Sequence, residues 1–209
     1  MQTSSLLRSS FRLLLVAGLA STTLACKPKA VRGGAGTENP NLDQGAMSTT
    51  LDRVDINYLV DENLKSMFAS PWWSRDVQGG VGEVPIVAIW PIKNDTTMHL
   101  DDQMNTLLAQ IETQMVNSGA VNVVSRERQA EMVREAQLQN SDIYDPATAA
   151  RLGAQIGAKY YITGKLMSNE ERFDGERRVQ YSLFLQVLEV ETSFVKFQHT
   201  SERSKAIVR

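Results

Sequence analysis

Between Pro85 and Val124 the hydrophobic periodicity changes twice, and that switch limits the folds open to this chain more than any other feature. Pro85-Ile86-Val87-Ala88-Ile89-Trp90-Pro91-Ile92 is a short β-branched run bounded by Gly82 and Asn94-Asp95, as a strand buried on both faces requires. Met104, Leu107, Leu108, Ile111 and Met115 then share one helical stripe, ended by Gly119, before Val121 to Val124 resumes the apolar run. Strand, helix and strand in that order predict a right-handed parallel crossover and place the chain in the α/β class.

The flanking sequence extends the same architecture. Ile56, Leu59, Val60, Leu64 and Met67 recur at helical spacing from Leu51 to Phe68, with Pro71 as the expected stop. A charge-rich helix is expected from Arg126 to Gln139, and a second from the Asp145-Pro146 cap to about Ile156. Lys159 to Met167 reads as a strand. Glu170-Glu171-Arg172 and Asp174-Gly175 read as a turn into an alternating strand over Arg178 to Val190, followed by a last strand from Phe194 to His199. The expected fold is a small mixed sheet, two parallel crossovers and then an antiparallel meander, flanked by about four helices.

The N-terminus carries a different signal. Arg8 and Arg12 precede the apolar run Leu13 to Ala20, which is too short to span a bilayer and reads as a secretory signal peptide over residues 1–25. It ends in Thr23-Leu24-Ala25-Cys26, similar to the lipobox of bacterial lipoproteins, so Cys26, the only cysteine, is expected to be lipidated as the first mature residue. Lys27 stands where an Asp would, by resemblance to enterobacterial lipoproteins, mean retention at the inner membrane. Outer-membrane anchoring is therefore expected. Residues 26–48 are Gly-, Pro- and Asn-containing, with almost no large apolar side chain, and are expected to form a disordered tether. Its stretch from Lys27 to Met47 reaches about 70 Å when extended and averages roughly 25 Å as a coil. Residues 49–209 remain as one globular domain, a size suited to a single core.

Composition excludes several classes. The 22 bases and 24 acids leave no basic field for a nucleic-acid backbone; removal of Arg8 and Arg12 with the signal peptide leaves 20 bases, a mature side-chain charge of −4. A collagen, a coiled coil and a polytopic membrane protein are also excluded. With one cysteine no intramolecular disulfide is possible.

A search for chemistry returns structural readings. His99 and His199 are far apart and lack neighbouring ligand residues. Thr163-Gly164-Lys165 mimics a phosphate-loop ending, but Lys159 stands where the required glycine would be, and Leu166 where the metal-binding hydroxyl would be. Gly153 and Gly157 suit close packing and a helix exit better than a dinucleotide fingerprint. Ser193-Phe194-Val195-Lys196 matches S-x-x-K, yet on a strand a separation of three sends the side chains to opposite faces. Asp101-Asp102 and Glu170-Glu171 are adjacent rather than facing. No active site, metal site or cofactor is expected. Two segments are candidates for partner binding. Trp72-Trp73 after Pro71 could be an exposed anchor or could pack on the domain, and Asn94-Asp95-Thr96 leaves a strand as either a ligand loop or an ordinary turn and cap.

Val87-Ala88-Ile89-Trp90-Pro91-Ile92-Lys93-Asn94-Asp95-Thr96-Thr97, His99-Leu100-Asp101, Asn122-Val123-Val124-Ser125, Asp145-Pro146-Ala147-Thr148-Ala149-Ala150 and Gly157 to Lys165 together resemble the LpoB family. Its members are outer-membrane lipoprotein activators of penicillin-binding proteins. The likeness runs from about Asp52 to Thr200 in the family's order and spacing. It implies a sheet flanked by helices, related to CsgG-type lipoproteins, and a non-catalytic monomer that binds and activates a class A penicillin-binding protein. Two departures are visible: Ser193 and Phe197 occupy places where the family usually has Gly and Trp, and the tether is shorter. The alternative implied by the fold relation is a subunit of a secretion assembly, which would need membrane-spanning strands beyond those of the domain.

Overall fold

A computed structural model describes residues 30–138, 142–143 and 145–207. Cys26, the expected signal peptide and the end of the predicted helix at Gln139 lie outside the described residues. The chain divides into two units, Met1–Leu42 and Asp43–Arg209. In the first, the described residues form turns closed by a Gly33–Asn39 bridge.

The second unit is the α/β domain. Its helices are α1 (Arg53–Phe68), α2 (Asp101–Asn117), α3 (Arg126–Leu138) and α4 (Pro146–Gln155), with a π-helical turn over Trp73–Gln78. Its strands are β1 (Ile86–Ile89), β2 (Lys93–Asp95), β3 (Asn122–Val123), β4 (Tyr160–Phe173), β5 (Glu176–Glu189) and β6 (Val195–Ile207). They form one mixed sheet in the order β3-β1-β4-β5-β6, with β2 also paired to β4. β1 is parallel to β3 and β4, while β4, β5 and β6 form the antiparallel meander.

Local chemistry explains each boundary. Asp52 caps α1 by accepting from the Val54 and Asp55 amides, and Asp55 reaches back to the Asp52 amide to complete a capping box. Asp145 accepts from the Thr148 amide at 3.0 Å, with Pro146 opening α4. Gly157, at φ 72°, ends that region, while Gly153 packs so closely on Val190 that a Cβ would lie 3.0 Å from it. The expected roles of both glycines therefore hold. At the β4–β5 hairpin, Asp174 and Gly175 both take positive φ, as a two-residue primed turn requires.

The expected strands differ from the structure in three places. The run from Pro85 to Ile92 is strand only over Ile86–Ile89, and a second strand follows it: Val87 to Ile89 pair with Tyr160 to Ile162, and pairing resumes one residue out of step at Lys93 with Lys165. Pro91, which lacks a ladder donor, lies in the break. Glu170-Glu171-Arg172 are strand rather than turn, since pairing continues to Phe173 with Glu176. β6 runs on to Ile207 instead of stopping near His199.

Two apolar layers sandwich the sheet. On one face Ile56, Leu59, Leu64, Leu107, Ile111 and Met115 pack over Val179, Tyr181, Leu183, Leu185 and Val187, the alternating inward set of β5. On the other, Ala149 and Leu152 of α4 cover Trp90, Tyr161, Leu188 and Val190.

Candidate partner-binding surface

The predicted aromatic anchor is corrected by burial. Trp72 and Trp73 are only 2% and 3% exposed and sit in the main core. Trp73 packs on Phe68 with centroids 4.6 Å apart, and Trp72 meets Tyr160 edge-on at 5.2 Å. Pro71 does not terminate the chain into a loop. The Ser70 hydroxyl accepts from the Trp73 amide at 3.2 Å, and Ser70-Pro71 thereby starts the next helical turn, which swings both indoles under the sheet. The packing alternative is the one realised.

Asn94, Asp95 and Thr96 stay on the surface, and local bonds engage them. The Asn94 carboxamide accepts from the Thr96 amide and hydroxyl at 3.1 and 2.7 Å and donates to the Met98 carbonyl at 2.9 Å. Asp95 lies 3.3 Å from the Lys93 ammonium. This is Asx-turn geometry, the ordinary-turn alternative. Among the described residues no group of His, Cys, Asp and Glu side chains could hold a metal.

The polar cluster that the sequence did not announce lies where the chain joins the domain. The Lys205 ammonium, its side chain 4% exposed, donates to the Thr50 carbonyl at 2.8 Å, Asp52 at 2.6 Å and buried Asp55 at 2.9 Å. Tyr181 donates its hydroxyl to the Thr49 carbonyl at 2.8 Å, and Arg177 reaches the Thr49 hydroxyl at 2.9 Å. Burial works to lower the Lys205 pKa, but its bonds to Asp52 and Asp55 outweigh this and the net shift is upward. Asp52 balances desolvation against the same ammonium and the helix amides, with a net shift downward. Beside this cluster, hydrogen bonds from Arg177 and then Arg172 pull the Glu170 carboxyl down to about 2. Residues beyond His199 showed no alternation of apolar side chains, so the strand that delivers Lys205 had no sequence signal.

Several concavities among the described residues could receive a partner. Lys93, Thr163, Lys165, Phe184 and Gln186 line a cleft of about 230 Å³ on the open face of β4 and β5. A groove of about 380 Å³ between α2 and α3 is lined by Ile89, Pro91, Leu108, Ala130 and Val133. A third, of about 360 Å³, lies beside the loop that leads into β1 and has Val77, Val81, Val84, Pro85 and Ala120 on its walls.

The family model described as "Peptidoglycan-synthase activator LpoB" matches residues 55–202. The structure is similar to the LpoB C-terminal domain from Salmonella enterica, with 16% identity and a TM-score of 0.49 over 71% of this chain and 98% of that one. It is also similar to the Escherichia coli LpoB C-terminal domain, with 14% identity and a TM-score of 0.45 over 70% and 98% of the two chains. The solution structure of Escherichia coli LpoB gives 14% identity and a TM-score of 0.48, covering 84% and 82%. No curated protein matches.

Proposed function

The chain belongs to the LpoB family of peptidoglycan-synthase activators, and from that premise we propose that it is a lipid-anchored regulator that docks on a class A penicillin-binding protein and raises its activity. The observation that carries this reading is the extent of the family match: residues 55–202 take in every helix and strand from α1 into β6. Regulation by docking needs only a preformed surface with greater affinity for the synthase's active state, and the domain presents sheet and helix surfaces of that kind. Lipidation at Cys26 and outer-membrane residence rest on the lipobox-like Thr23-Leu24-Ala25-Cys26 and on Lys27.

The test adds the mature protein to the host's class A penicillin-binding proteins with lipid II. Glycan polymerisation should accelerate, while the protein alone turns over neither lipid II nor peptidoglycan. Binding to none of these synthases would refute the reading. Cys26→Ala should move the protein from the membrane to the periplasmic fraction, because one cluster of acyl chains is the proposed anchor; membrane retention in high salt would refute lipidation.

A further inference from the structure

The domain has two dissimilar ends. At one, the chain arrives through Thr49 and Thr50, held by Arg177, Tyr181 and Lys205 beside the β4–β5 hairpin. At the other lie the starts of β1, β3, β4 and β6 and the end of β5, joined by backbone bonds from Asn122 to Pro85, Lys159 to Ile86, Val190 to Lys159 and Glu189 to Phe194. The 14 residues of β5 run between these ends, so they are on the order of 45 Å apart.

Exposed apolar side chains are distributed unequally between them. Of the twelve large hydrophobic residues exposed among the described residues, six lie at the far end: Val81, Val84, Ile86, Val116, Phe194 and Val195. Val81 stands fully exposed between Gly80 and Gly82, and Phe194 is 66% exposed at the tip of the β5–β6 turn. The cleft of about 360 Å³ that opens there has apolar walls at Val77, Val81 and Val84 and polar ones at Asp76, Glu83 and Lys159. Apolar and aromatic anchors beside a pocket are what a protein interface uses at its centre.

Resting on the proposed function, we infer that this far end, centred on Val81 and Phe194, is the docking surface for the synthase, and that its occupant is an apolar patch on the synthase's periplasmic portion. The argument for that occupant is where the tether ends. The chain enters the fold through Thr49 and Thr50, at the opposite end, so a domain hung from the outer membrane has its attached end shielded by that membrane. The far end meets partners that are anchored across the periplasm. A tether averaging roughly 25 Å adds to the length of the domain only if contact is made there.

The experiment uses the mature lipoprotein and purified class A penicillin-binding protein. Val81→Asp with Phe194→Asp should weaken binding at least about tenfold, as loss of interface anchors does, with the thermal midpoint unchanged. Val54→Asp at the tether end should bind as wild type. A photocrosslinking residue at Val81 should capture the synthase in intact envelopes, a readout independent of the folding of the double variant. Wild-type binding by the double variant, together with no crosslink from Val81, would overturn this surface while leaving the activator reading intact. Failure of the wild-type protein to bind any synthase would refute both.

Discussion

Trp72 combines a large buried ring with an indole N–H that has no hydrogen-bond partner in the core. The ring stabilises and the orphaned donor opposes it, so two substitutions should separate the effects. Trp72→Ala should cost about 3–5 kcal/mol by emptying the site. Trp72→Phe should cost much less, because it keeps an aromatic ring against Tyr160 and removes a donor whose desolvation costs roughly 1–3 kcal/mol. Chemical denaturation of the two variants checks this; equal losses would mean that the N–H finds a partner. Ser193 presents the reverse case, a residue with a side chain at φ 58°. Ser193→Gly should raise stability by about 0.5–1 kcal/mol, since only glycine takes that conformation freely. An unchanged or lowered unfolding midpoint would contradict it. Ser193 departs from the family's usual glycine, and its positive φ gives that departure a conformational cost.

The elements differ in how plainly the sequence announces them. α2 was legible because Met104, Leu107, Ile111 and Met115 all face the core, with acids at its start and Gly119 beyond its end. Leu108 belongs to the same numerical stripe but sits at its margin, half-buried beside the groove to α3. Leu107→Ala should therefore cost about 2–5 kcal/mol and Leu108→Ala distinctly less, a ranking that thermal or urea unfolding can test. The hairpin arm beyond Met167 was hidden for the opposite reason. Glu170, Glu171, Arg172 and Arg178 pair with one another in solvent, so nothing alternates between core and water. Gly164 was visible only as a false phosphate-loop glycine. Its actual constraint is that a Cβ would meet the Phe184 carbonyl oxygen at 2.0 Å. Gly164→Ala should consequently force β4 and β5 apart and lower the unfolding midpoint far more than a typical surface substitution; a neutral result would show that the strands can shift to admit it.

At the scale of the whole molecule, contacts between residues distant in sequence determine what could not be foreseen. Asp52 and Asp55 form the capping box at the start of α1, and Lys205 arrives about 150 residues later to bind both. The exposed-anchor reading of Trp72 and Trp73 gave way for a related reason: the pair carries the composition of an interface, while Ser70-Pro71 turns both inward. Stability should follow pH accordingly. Lys205, held above its ordinary value of 10.5, contributes stability that is complete below that pH and is lost as pH rises through the folded value. Asp52, held below its ordinary value of 3.8, contributes stability present above that pH and lost as pH falls through the folded value. A plateau should span neutral pH. Lys205→Met should lower it by about 3–5 kcal/mol by leaving Asp55 buried beside a weakened partner, and should flatten the alkaline limb. Melting curves across the pH range check both outcomes.

The same junction has a mechanical meaning. A pull along the leading segment is delivered at Thr49 and Thr50, and is borne first by the Tyr181 hydroxyl, the Arg177 guanidinium and the Lys205 ammonium, on β5 and β6. Load thus passes sideways into two long paired strands, β5 and β6, instead of peeling α1 from its end. The junction yields by breaking side-chain bonds that can re-form when the strain is released, before any strand ladder has to open.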